Sequence, residues 1–123
     1  MILGTGGASK AIEFGLKSLG LDTKKVSRTG KCGAMKYEDV TPELIREYNV
    51  IVNCTPCGMF PHTDECPMLP YDSMDSHTLL YDLIYNPDET LFLSKGKEKG
   101  AVVKNGLEML LLQAFASWEF WNK

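Results

Sequence analysis

The chain has 123 residues, 44% of them hydrophobic and 24% charged, an ordinary balance for one globular domain with a buried core. Its net charge is −3 and its lysines are spread along the chain, which gives no electrostatic footprint for nucleic acid. There is no apolar run of about 18 residues, and the opening is too short and glycine-rich for a secretion signal, so a cytoplasmic protein with no membrane partner is expected.

Met1-Ile2-Leu3 runs into Gly4-Thr5-Gly6-Gly7-Ala8-Ser9-Lys10-Ala11, and helical spacing follows through Ile12, Phe14, Leu16 and Leu19 up to Gly20. The order predicted is strand, tight turn, helix. A helix starting there aims unpaired N–H groups and its positive dipole end forward, where a phosphate is the natural occupant. Gly4 allows the turn, Gly6 and Gly7 let a ligand approach the backbone without meeting a Cβ, and Ala11 is expected to sit close on the strand. The third small position of the dinucleotide fingerprint falls on Ser9, and a turn with no ligand is the plain alternative.

Lys24 to Ser27 reads as a second strand, followed by Arg28-Thr29-Gly30-Lys31. Where NAD is bound, an acidic residue about 20 positions past the glycines accepts from the ribose hydroxyls. Here Ser27, Arg28, Thr29 and Lys31 occupy the region and no carboxylate follows until Glu38. A guanidinium can bond a 2′-phosphate at two points, so the pattern favours NADP, with a solvated basic turn as the other reading.

Ala34 to Tyr37 is a short third strand. Thr41 is an N-cap with Pro42 at the first helical position, opening a short helix through Tyr48. Val50 to Cys54 is a buried central strand whose carboxyl end runs into Thr55-Pro56-Cys57-Gly58-Met59. Phe60 to Met74 is a long proline-bearing loop, expected to be a lid or mobile. Thr78 to Asp82 is the fifth strand, Asn86-Pro87-Asp88-Glu89 looks like the cap and capping box of a helix to Lys99, and Ala101 to Val103 is the sixth strand. Strands and helices alternate throughout, which predicts a Rossmann-type doubly wound parallel sheet of about six strands, helices on both faces, as a single domain over residues 1–123.

Asn105 and Glu108 repeat the cap-and-box spacing before a last helix, Leu107 to Trp121. At 100° per residue it has two apolar faces, the broad one including Leu110, Leu111 and Trp118, the other Met109, Leu112, Ala116 and Phe120. A helix with two such faces belongs between two bodies, a second domain or a second copy. Cys54, Cys57, His62 and Cys66 form C-x2-C-x4-H-x3-C, one residue short of a zinc-knuckle spacing, but Cys54 ends a buried strand, and no metal is expected.

Taken together, the glycine loop, Asn53-Cys54-Thr55-Pro56-Cys57-Gly58-Met59, Tyr81-Asp82-Leu83-Ile84-Tyr85-Asn86-Pro87 and Asn105-Gly106-Leu107-Glu108-Met109-Leu110 resemble the C-terminal NADP-binding domain of shikimate dehydrogenases. The resemblance implies reversible NADPH-dependent reduction of 3-dehydroshikimate to shikimate, with quinate as the alternative substrate. It implies that Gly6, Gly7 and Ala8 meet the pyrophosphate, that Arg28, Thr29 and Lys31 meet the 2′-phosphate, and that Cys54, Thr55 and Pro56 line the adenosine side. Leu83 and Gly106 would flank the nicotinamide, while Tyr85 and Gln113 would touch substrate. The family's catalytic lysine and aspartate belong to an N-terminal domain whose motifs are not found here, so no catalytic residue is assigned and the expectation is a partial unit, inactive by itself. A stand-alone assembly module docking through its last helix and a Cys/His zinc module are the rival readings.

Overall fold

A computed structural model of the chain describes residues 1–30, 33–84, 86–87 and 89–106. Among these, β1 (Ile2–Leu3), β2 (Lys25–Ser27), β3 (Met35–Lys36), β4 (Val50–Asn53), β5 (Leu79–Asp82) and β6 (Val102–Lys104) form one parallel sheet in the order β3-β2-β1-β4-β5-β6. Three helices connect them, α1 (Gly7–Ser18), α2 (Pro42–Glu47) and α3 (Leu91–Glu98). From β1 the chain first steps towards β2 and β3, then returns past β1 to β4, β5 and β6. Because parallel crossovers are right-handed, those opposite steps put α1 on one face of the sheet and α2 and α3 on the other. The expected Rossmann-type architecture is the observed one.

Register explains which residues become core. Val26, Leu3, Ile51 and Leu80 come from neighbouring strands, all fully buried, and they share a cluster with Ile45 of α2 and Phe92 and Leu93 of α3. The alternate positions Ile2 and Val52 are buried on the opposite face. Central parallel strands are covered on both sides, so both residue sets must be apolar, as the sequence VIVN of β4 displays.

Thr41 caps α2 as expected, its hydroxyl accepting from Leu44 N, with Pro42 opening the helix. The cap predicted at Asn86 is a correction. α3 begins at Leu91, and its cap is Thr90, whose hydroxyl accepts from Leu93 N at 3.3 Å. Thr90 is fully buried and also bonded to Asp82, so a hydroxyl anchored in the core sets the start of the helix, and the capping-box spacing at Asn86 and Glu89 loses to it.

The long loop is a second partial correction. Residues 61–65 are exposed, but the second half is docked: Leu69 and Met74 are buried, Tyr71 to Ser73 form a 3-10 turn, and the Tyr71 hydroxyl donates to Pro67 O at 2.6 Å. The Tyr71 ring meets Phe92 edge-on at 6.4 Å, so this half is fixed to the core and is not a lid. No helix among the described residues is long and apolar enough to cross a membrane.

Candidate functional site

The chain reverses its direction across the sheet between β1 and β4, and in open parallel sheets the crevice outside the carboxyl ends at such a point is where ligands bind. The loops after β1 and β4 meet there. Gly4 has φ of 109°, its N–H donates to Val26 O, and a Cβ on it would stand 3.1 Å from Thr55 Cγ2. Glycine is needed for both the turn and the approach. A Cβ on Gly6 or Gly7, by contrast, would meet nothing within 4 Å. Gly6 caps α1 without a side-chain bond and no acidic residue stands in the first turn, so amides in the turn from Gly7 through Ala8 present an uncompensated positive helix end.

Ser9, not Ala11, is the small residue packed against the sheet: Ser9 is fully buried and Ala11 is exposed. The apparent departure from the fingerprint is harmless, because Ser9 Oγ donates to Gly6 O at 2.6 Å and no polar atom is stranded.

At the end of β2 the Ser27 hydroxyl accepts from Gly30 N at 2.9 Å and so shapes the loop that holds exposed Arg28 and Thr29. The Arg28 charge opposes the upward shifts that burial imposes on Tyr37, after β3, and on Cys57, after β4. Its guanidinium therefore lies within electrostatic reach of the strand-end edge. No carboxylate among the described residues pairs with it. Lys31 lies outside the described residues.

Beneath the crevice is a polar network that sequence reasoning missed. Asn53 and Asp82 are cross-strand partners at the ends of β4 and β5, and with Thr90 they are fully buried. Asp82 Oδ1 accepts from Asn53 Nδ2 at 3.2 Å and from Ile84 N at 3.0 Å, and Oδ2 accepts from Thr90 Oγ1 at 2.7 Å. Asn53 Oδ1 accepts from Thr55 N at 3.0 Å and Thr55 Oγ1 at 2.6 Å. Burial pushes the Asp82 carboxyl above the usual carboxylate range, against the pull of its three donors. The available signal was that two apolar strands each end on a polar residue. Further along, Gly106 N donates to Ile84 O at 3.3 Å, and a Cβ on Gly106 would overlap the Leu83 carbonyl. Leu83 and Gly106, named together from the sequence, are in contact.

No protein-family model matches the chain. The shikimate dehydrogenase (NADP(+)) of Crocosphaera subtropica is 39% identical over 98% of this chain and 49% of its own length. That of Carboxydothermus hydrogenoformans is 35% identical over 99% and 49%. Among solved structures, shikimate 5-dehydrogenase from Thermus thermophilus in complex with NADP(H) and shikimate superposes with a TM-score of 0.80 at 32% identity, covering 98% of this chain and 47% of that one. The Aquifex aeolicus shikimate dehydrogenase gives 0.81 at 32%, with the same coverage. The chain is homologous to the C-terminal half of shikimate dehydrogenases. It spans about half the length of the curated relatives it matches.

In this chain, Gly4, Gly6, Gly7, Ala8, Cys54, Thr55 and Pro56 gather around the β1–β4 crevice, Ser27, Arg28 and Thr29 flank it on the β2 side, and Leu83 and Gly106 flank it on the β5 side. Tyr85 and Gln113, and the second apolar face at Met109, Leu112, Ala116 and Phe120, lie outside the described residues. Two concavities of about 200 and 520 Å³, bordered by Leu21 and Tyr48, open at the amino ends of the strands, the edge opposite the crevice.

Cys54, Cys57 and Cys66 are free thiols, and among the described residues no three His, Cys, Asp or Glu side chains are grouped to hold a metal ion. Burial, reinforced by the Asp82 charge, pushes the Cys54 thiol up to about 11. At pH 8 only about one molecule in a thousand then carries the thiolate. Iodoacetamide at pH 8 should leave Cys54 almost unmodified, and its labelling rate, read by peptide mass spectrometry, should rise about tenfold per pH unit up to pH 10. A rate that levels off above about pH 9, as for a thiol of ordinary pKa, would contradict the burial of the thiol.

Proposed function

We propose that this chain is the NADP(H)-binding domain of an enzyme that reversibly reduces 3-dehydroshikimate to shikimate, completed by a separate substrate domain that carries the catalytic lysine and aspartate. The observation behind the proposal is the open glycine turn at the switch point, with Arg28 and no carboxylate at the end of β2. The solved relatives with NADP+ or NADP(H) support the same coenzyme.

Gly4, Gly6, Gly7 and Ala8 would hold the pyrophosphate on backbone amides, and Arg28, Thr29 and Lys31 the 2′-phosphate. Cys54, Thr55 and Pro56 would line the adenosine side. Leu83 and Gly106 would back the nicotinamide, and Tyr85 and Gln113 would touch the substrate. NADPH, when bound, supplies the hydride. The proton that must reach the carbonyl oxygen would come from the substrate domain, since no lysine in this sequence has a recognisable site for that work. The second face of the last helix, at Met109, Leu112, Ala116 and Phe120, would meet that second domain or a second copy of the chain. The working place is the cytoplasm.

Titration with NADPH and NADH tests the proposal. NADPH should bind more tightly, and Arg28→Ala should weaken it on the order of ten- to a hundredfold, the loss of a charge-assisted bond, while leaving NADH unchanged. Equal binding of both coenzymes, or of neither, contradicts the proposal. The chain alone should show no NADP-dependent oxidation of shikimate; turnover would refute the division of labour.

A further inference from the structure

A dinucleotide bound in the crevice has its pyrophosphate over the turn after β1. If its 2′-phosphate end lies over β2, where Arg28 stands, its other half must extend past β4 towards β5, because the strand order is β2-β1-β4-β5. The wall on that side is the Leu83-Ile84 backbone, with Gly106 resting on it. Among the described residues, that wall has one side-chain anchor from beneath. The Ile84 amide is held by Asp82 Oδ1, which also takes the Asn53 amide, and Asp82 is in turn held by Thr90 through Oδ2. The three side chains are fully buried, and no buried side-chain polar atom among the described residues lacks a partner.

We propose that Asp82 is a positioning residue for the coenzyme, its carboxylate directly fixing the Leu83-Ile84 wall at the nicotinamide end of the crevice and reaching the adenosine end only through Asn53, whose Oδ1 holds Thr55. The inference rests on the NADP(H) reading above. A carboxylate suits the task because three donors converge on it from three segments: the end of β4, the backbone after β5 and the cap of α3. An amide in its place keeps one acceptor oxygen but turns a donor towards the Thr90 hydroxyl, which must then give up its own bond.

Two ligands separate positioning from general support. NADPH spans both ends of the crevice, whereas adenosine 2′,5′-bisphosphate reaches only the Arg28 end. With the full chain, Asp82→Asn should raise the dissociation constant for NADPH about tenfold and that for the bisphosphate less than about twofold, since a lost hydrogen bond to a charged group is of that order. Thr90→Val should reproduce the split, and Thr90→Ser, which keeps the hydroxyl, should restore NADPH binding to within about twofold of the unaltered chain. If Asp82→Asn does not fold, the Thr90 pair decides alone. Parallel weakening of both ligands, or unchanged affinity for both, overturns the proposal. Failure of the unaltered chain to bind either ligand overturns the NADP(H) reading, and this inference with it.

Discussion

Gly106→Ala should lower both stability and coenzyme affinity. The added Cβ would overlap the Leu83 carbonyl oxygen and stand 2.5 Å from its carbonyl carbon and 3.0 Å from its Cα. These are backbone atoms just past β5, with no rotamer to escape into, so the strand end or residue 106 must shift. Overpacking of this kind costs about 1–3 kcal/mol, which should lower the urea midpoint by about 1 M. Because Leu83 is the proposed nicotinamide wall, NADPH binding should fall more than tenfold in the fraction that stays folded. Coupled urea and NADPH-fluorescence titrations measure both effects. A midpoint and an affinity like those of the unaltered chain would mean that the close contact between residues 83 and 106 is absent.

Phe92→Ala should have the largest effect on stability. Phe92 is fully buried, the bulkiest of the fully buried side chains among the described residues, and its ring meets Tyr71 edge-on. Removing it costs about 3–5 kcal/mol, a large part of the roughly 5–15 kcal/mol that holds a typical domain together. The Tm should drop by about 10–20 °C. The same change should release the Pro67 to Met74 segment, which is fixed through Leu69, Tyr71 and Met74, so limited proteolysis should begin to cut there. If Tm falls but the segment stays resistant, burial of Leu69 and Met74, and not the Tyr71 ring, holds it to the core.

How much of the site was legible depends on the range of the interaction. The glycine turn could be read because sterics act within a few residues: φ at Gly4 and the open backbone at Gly6 and Gly7 are local properties. Arg28 could be read because it follows β2 directly and the choice between a basic and an acidic residue there is a matter of charge. Thr41 with Pro42 was legible for the same reason, cap and helix start being adjacent. At Asn86 the same local rule failed. Asn86-Pro87 and Glu89 have the right spacing, but Thr90 is tied to Asp82 at the end of β5, and that bond across eight residues moved the helix start. Ser9 was misjudged in the same way, since its burial against the sheet and its bond back to Gly6 appear only when α1 is docked.

The sequence by itself determined the alternation of strands and helices, the apolar two-sided strands, the glycine turn and the basic loop, because each follows from periodicity, backbone sterics or charge within a short window. Only the tertiary structure decided that Asn53 and Asp82 lie side by side, that Thr90 and not Asn86 caps α3, that the second half of the long loop is docked, and that Gly106 rests on Leu83. Register and packing join residues far apart in the chain. Whether a polar side chain at a strand end faces water or a buried partner is set by which strand becomes its neighbour, and no local pattern carries that information.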